Sequence, residues 1–259
     1  MSTLCKSTSL IFIATLALGG VAYAENPDIA VRRANERTSF SDAEIADGFF
    51  KTAMRAELHF DRVAERIRKF DGPVRIFIAA SGALHRRAEV AAVVADIRAH
   101  VKELDIAVTE DRKEANFVVT LVSRSDLKKT IIAHFGAVRA LQIERSLAPE
   151  CLSGIGKDEN FRIRRAEAIL PADVGDFSFY DCAYEELLQG LGIINDDNSV
   201  PWTMFNDDVQ MGFFDVYDQH LVNILYDPRI RPGMTRNAVE KVLPDVLPDV
   251  RSWISSNNP

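Results

Sequence analysis

The chain has 259 residues, of which 47% are apolar and 27% charged, and a formal net charge of −7. This is the composition of a folded globular protein and excludes disordered and collagen-like classes. No long basic run occurs, since His85-Arg86-Arg87 and the cluster Arg162, Arg164 and Arg165 are too short, so the sequence argues against nucleic acid as a partner.

The N-terminus reads as an export signal. Lys6 supplies a positive region, Leu10 to Leu18 an apolar core, and Ala22-Tyr23-Ala24 a cleavage site before Glu25. The apolar stretch falls short of the about 20 residues a membrane span needs, and no later stretch reaches that length. Cys5 precedes the apolar core and is not placed as a lipoprotein cysteine. Residues 1–24 are therefore expected to be a signal peptide, 25–37 a loose polar linker and 38–259 the folded domain. The mature chain is expected in the periplasm or secreted, with no transmembrane segment.

Ser41 and Glu44 form a capping-box pattern, followed at helical spacing by Ile45, Phe49, Phe50 and Met54, then Leu58, Val63 and Ile67. Asp71-Gly72-Pro73 ends that stretch. Val74 to Ala80 is an apolar run between turn signals, hence a strand, closed by Ser81-Gly82. Arg86 to Val101 is a helix with Val90, Val93, Val94, Ile97 and Val101 on one face. Asn116 to Val122 is a second strand. Cys151 to Gly156 is glycine-rich and reads as a loop, and Phe161 to Leu170 alternates as a third or edge strand. Tyr180 to Leu191 is a helix ended by Gly192, and Asn195 to Asn198 is a polar loop. Phe213 to Tyr226 is a helix ended by Pro228, and Asn237 to Val242 a short one. The order reads as a single α+β domain.

Removing the signal leaves Cys151 and Cys182. Two cysteines in an oxidising compartment favour one disulfide, contributing about 3–4 kcal/mol by chain entropy, with two buried thiols as the alternative.

The run Glu185-Glu186-Leu187-Leu188-Gln189-Gly190-Leu191-Gly192-Ile193-Ile194-Asn195-Asp196 carries the chemistry. Taken alone it is an amphipathic helix with Leu187, Leu188 and Leu191 as its core face and Gly192 as its terminal glycine. It also resembles the metzincin signature H-E-x-x-H-x-x-G-x-x-H followed by Asp. Glu186 falls on the catalytic Glu, Gly192 on the turn glycine and Asp196 on the trailing acid. Glu185, Gln189 and Asn195 stand where the three metal histidines would be. Thr203-Met204-Phe205-Asn206-Asp207 follows in the place of a Met-turn. The resemblance implies a zincin-like single domain with a mixed sheet, a signature helix, a Met-turn at Met204 and a C-terminal helix. Glu185, Gln189 and Asn195 would then converge over Met204.

The chain is also similar to a proteobacterial family of exported proteins of unknown function, domain-of-unknown-function family 2927. The resemblance rests on Phe70-Asp71-Gly72-Pro73-Val74-Arg75, Glu185-Glu186-Leu187-Leu188-Gln189-Gly190-Leu191-Gly192, Asn195-Asp196, Phe205-Asn206-Asp207 and Leu225-Tyr226-Asp227-Pro228-Arg229-Ile230-Arg231-Pro232-Gly233-Met234. It extends from about Phe40 to the C-terminus and implies a shared envelope-associated fold without an assigned activity.

Zinc prefers histidine, thiolate and carboxylate, and two of the three candidate ligands are neutral amides. His59, His85, His100, His134 and His220 lie in other segments. The expectation is a non-catalytic zincin-like protein of the cell envelope, binding or structural, with no cofactor and an envelope protein or peptide as partner. The alternative is a divergent metal-dependent hydrolase. Glu186 would be its general base and Glu185, Gln189 and Asn195 its ligands, with added oxygens from Asp196, Asp197 or Asp207.

Overall fold

Val74–Ala80 (β1) buries Val74, Ile76 and Ile78 on one face and leaves Arg75, Phe77 and Ala79 half-buried on the other, the period-2 pattern of a strand. A computed structural model describing residues 25–55, 65–80, 85–147 and 150–258 places it in a five-stranded sheet. The others are Ile106–Val108 (β2), Phe117–Val122 (β3), Leu152–Lys157 (β4) and Ile163–Pro171 (β5), in the order β2-β1-β3-β5-β4. β1 runs parallel to β2 and β3, and β3 runs parallel to β5. Only β4, at one edge, is antiparallel. The fold is thus α+β with a mixed sheet.

Before the sheet come Pro27–Ala34 (α1) and Asp42–Ala53 (α2). The Ser41–Glu44 capping box opens α2 as expected, with the Ser41 side chain accepting from Glu44 N and the Glu44 carboxylate accepting from Ser41 N. Arg87–His100 (α3) follows β1 and buries Val90, Val93, Val94 and Ile97. Leu127–Phe135 (α4) and Ala137–Leu147 (α5) follow β3. They enclose a small second core in which Ile131 and Ile143 meet Ile169 of β5 and Leu152 of β4. Ala166, Ala168 and Leu170 of β5 belong to the main core instead. Alternate residues of one strand therefore serve the two faces of the sheet. Asp176–Leu191 (α6), Val216–Tyr226 (α7) and Arg236–Asn257 (α8) complete the chain, with α7 packing on α2 and α8.

Several expectations need correction. Residues 25–37 are not a loose linker throughout: Asn26 caps α1, Pro27 starts it, and Ile29 is buried against the protein. The glycine-rich segment after Cys151 is the edge strand β4, not a loop. A Cβ at Gly154 would lie 2.9 Å from the Phe135 ring, and one at Gly156 2.7 Å from Arg165, so both glycines admit a covering side chain. The segment Phe161 to Leu170 is an inner strand, flanked by β3 and β4. The short helix at Asn237–Val242 is a 22-residue helix that runs through Pro244 and Pro248. Two interior prolines cost about 3 kcal/mol each. Val239, Leu243, Val246, Leu247, Val250 and Ile254 form an unbroken buried stripe, and at about 1.5–3 kcal/mol per side chain the burial outweighs that cost. The helix expected from Phe213 starts at Val216, with Asp215 as its cap. The one expected from Tyr180 starts earlier, at Asp176. Ile67, expected at helical spacing, is in no helix: it is buried in a stretch where Arg66 bridges Thr235 and the Ile67 N–H donates to Met234 O. The signal segment 1–24, the helical positions Leu58 and Val63, His59 and the Ser81-Gly82 turn lie outside the described residues. Among the described residues no helix is long and apolar enough to cross a membrane.

The disulfide is present. Cys151 and Cys182 are bridged with a Cα separation of 5.9 Å, tying the start of β4 to the middle of α6.

Candidate functional site

One face of α6 lies on the sheet. Phe179, Ala183, Leu187 and Leu191 are fully buried, and Gly190 brings the helix so close that a Cβ would sit 2.3 Å from the Phe117 ring of β3. Gly192 ends the helix with φ +126°. Its missing Cβ would lie 2.1 Å from the carbonyl oxygen of Arg68. Only glycine combines that conformation with that approach.

Asp181, Glu185 and Gln189 fall at i, i+4 and i+8 on another stripe of α6, all half-buried. Gln189 is engaged at both ends of its amide. Its Oε1 accepts from Ser153 Oγ of β4 at 3.0 Å, and its Nε2 donates to Asp196 Oδ1 at 3.0 Å. The loop after Gly192 therefore folds back onto the helix, but Asp196 meets Gln189 where the spacing had placed Asn195. Asn195 is drawn toward α2. Its backbone N–H donates to Thr52 O, and its Nδ2 donates to Lys51 O at 3.0 Å and to Asp196 O at 2.9 Å.

The Glu185 carboxyl carries no hydrogen bond from the described residues. Burial pushes its carboxyl well above the usual carboxylate range, and the charges of Glu186, Asp196, Asp181 and Asp207 add to the shift. Glu186, one position on, turns toward the core and is 4% exposed. The two adjacent glutamates thus lie on different faces of the helix, because neighbours i and i+1 do not face each other.

Met204 lies in the core at 4% exposure. Asp218 of α7 fixes its loop: Thr203 Oγ1 and Met204 N both donate to that carboxylate. The far end of the same loop is held by Asp181 of α6, whose Oδ1 accepts from Met211 N at 2.7 Å and Gly212 N at 3.1 Å. Burial raises Asp181 to about 6, against the lowering effect of those two N–H groups. Asp218 and its neighbour Asp215 are also raised by burial. Behind them Glu36, just past α1, accepts from Val216 N, and burial raises it to about 7. Asp181, Ser153 and Glu36 were not singled out from the sequence. The i, i+4, i+8 spacing of Asp181, Glu185 and Gln189 was the available signal for the first.

His220 is a core residue. Its Nδ1 bonds to Val216 O at 2.7 Å, and burial lowers it to about 4, so the ring is neutral. Among the described residues no three His, Cys, Asp or Glu side chains are arranged to hold a metal ion. The donor set at the signature positions does not fit zinc. It offers one carboxyl in an acidic surrounding and two amides whose N–H groups are committed within the protein, one of them with its oxygen also engaged.

The chain matches a family model described as "Protein of unknown function (DUF2927)" over residues 42–245. The chain belongs to that family. No curated protein and no solved structure matches it.

Proposed function

We propose that this chain is a non-catalytic, zincin-like protein of the cell envelope, exported by its N-terminal signal, and that it acts by binding an envelope protein or peptide. The order of mixed sheet, glycine-ended signature helix, buried methionine loop and C-terminal helix supports the zincin-like frame. The Gln189 network carries the non-catalytic reading. A side chain held between Ser153 and Asp196 at 3.0 Å each has its amide committed to the protein's own structure. Without a metal, water keeps a pKa near 15.7, and a buried Glu186 cannot supply the missing activation.

The test restores ligands. In the Glu185→His, Gln189→His double variant, two histidines stand at i and i+4 with Asp196 as a third donor, a set that suits zinc. Calorimetric titration with zinc should show binding by the variant and none by the wild type. A variant that folds but takes up no zinc overturns the zincin-like frame. A wild type that binds zinc as tightly overturns the non-catalytic reading.

A further inference from the structure

A cleft of about 540 Å³ opens on the side of the domain where two tight turns meet, a volume suited to a small molecule. One wall is Glu159 to Arg162, in the turn between β4 and β5, and the other is the turn from Arg231 to Met234 before α8. The second turn belongs to the longest stretch on which the family resemblance rests. Neither wall shares a residue with the signature helix or the Met204 loop.

Both walls are tied by hydrogen bonds. Asp158 Oδ1 accepts from Asn160 N and Arg162 N at 2.9 and 3.0 Å, and Phe161 N donates to Asp158 O. Opposite, Gly233 at φ +80° donates to Ile67 O at 2.8 Å, and Arg231 N donates to Met234 Sδ at 3.0 Å. A Cβ at Gly233 would meet Asn160 O at 3.3 Å, so the two turns are fitted to one another.

Phe161 is the single non-glycine residue with positive φ among the described residues, at +63°. A bulky residue there costs about 1–3 kcal/mol, and such strain concentrates where a side chain must be aimed. The Phe161 ring is half-buried and lines the cleft, with Lys157 Nζ 4.4 Å from its centroid.

The charges of the cleft are unequally committed. Arg162 is paired with Asp71 at 3.1 Å. Glu159 stands at the rim, accepting from Asn160 Nδ2 at 3.4 Å. Arg231 is exposed, and its guanidinium has neither an ion pair nor a hydrogen bond among the described residues.

We propose that this cleft binds a small organic monocarboxylate with a flat apolar body, its charge on Arg231 and its body against Phe161 and Met234. Arginine presents a planar fork that matches a carboxylate. Glu159 at the rim disfavours a dianion.

Benzoate is the probe, followed by amide chemical shifts in the full mature chain. Residues 159–162 and 231–234 should move, with a dissociation constant of about a millimolar, the range for a ligand of about nine non-hydrogen atoms. Benzamide and phenyl phosphate should each bind at least about tenfold more weakly. Arg231→Gln should weaken benzoate by a similar factor, because a charge-assisted pair is lost. Phe161→Asn tolerates the left-handed backbone and removes the ring. It should lose benzoate while its melting temperature stays level or rises, a combination that a merely structural phenylalanine would not give. Absence of shifts at the two turns, equal binding by benzamide, or unchanged affinity in Arg231→Gln each overturns the proposal. None of these outcomes bears on zinc uptake by the signature-helix variant.

Discussion

Replacing both Cys151 and Cys182 by alanine should cost the protein about 3–4 kcal/mol. The two residues are 31 apart in sequence, and closing a loop of that length removes about 12 cal/mol/K from the unfolded chain, about 3.7 kcal/mol at 25 °C. Both side chains are buried at 8% exposure, so the small voids left by two sulfur atoms add to that figure. The loop between them contains β4, β5 and the first turns of α6, so the linkage confines the part of the chain that builds one side of the sheet. Urea unfolding, with and without reductant, is the assay. Wild type under oxidising conditions should unfold at a higher midpoint with a similar slope, and the variant should ignore the reductant. A loss below about 1 kcal/mol, or a wild type whose midpoint does not respond to complete reduction, would refute the chain-entropy account.

Asp181→Asn keeps an oxygen for Met211 and Gly212 and removes a buried charge. The raised carboxyl, about 6 against an ordinary 3.8, makes its contribution to wild-type stability fall as pH rises through that interval and stay flat above it. Two units correspond to roughly 3 kcal/mol, reduced to about 1–2 by partial exposure and by the weaker acceptor. Relative to wild type, the variant should therefore gain between pH 4 and pH 7.5 in urea unfolding, and a pH-independent difference would contradict the assignment. Glu36 titrates near 7 in both proteins and cancels in the comparison. Gly192→Ala should lose more than about 3 kcal/mol or fail to fold, because it combines a positive φ with a 2.1 Å backbone overlap. Gly175→Ala, with open space around its Cβ, should stay within about 1 kcal/mol, and urea unfolding of both glycine variants measures the difference. Intact mass of protein isolated from the native host should begin at Glu25, and a product retaining Met1 would disprove export with cleavage after Ala24.

Where local pattern and burial coincide, the fold was legible. Val74–Ala80 was read to the residue because turn signals bound an apolar run, and α2 because its cap is a sequence motif. Ile106–Val108 was missed because three residues hold no period. β4 was mistaken for a loop because glycine signals a turn locally, while here it makes room for Phe135 and Arg165. Proline at 244 and 248 hid α8 for a related reason: the local penalty is visible in the sequence, and the buried stripe that overrides it needs the partner helices. At the site, spacing marked Gly192 and Met204. It could not show that Lys51, more than a hundred residues away, competes for Asn195, or that Asp181 reaches the backbone of Met211.

The two edges of the sheet limit how this protein can be approached. β2 offers only three residues to a newcomer, too few for a stable ladder. β4 pairs in regular register with β5 from Leu152 to Gly156, and the shift comes only at Lys157, where Arg164 is the extra residue on the inner strand. That edge therefore presents five residues in one run, while β2 does not. An extended segment from another chain that adds to this sheet as a strand has to do so along β4.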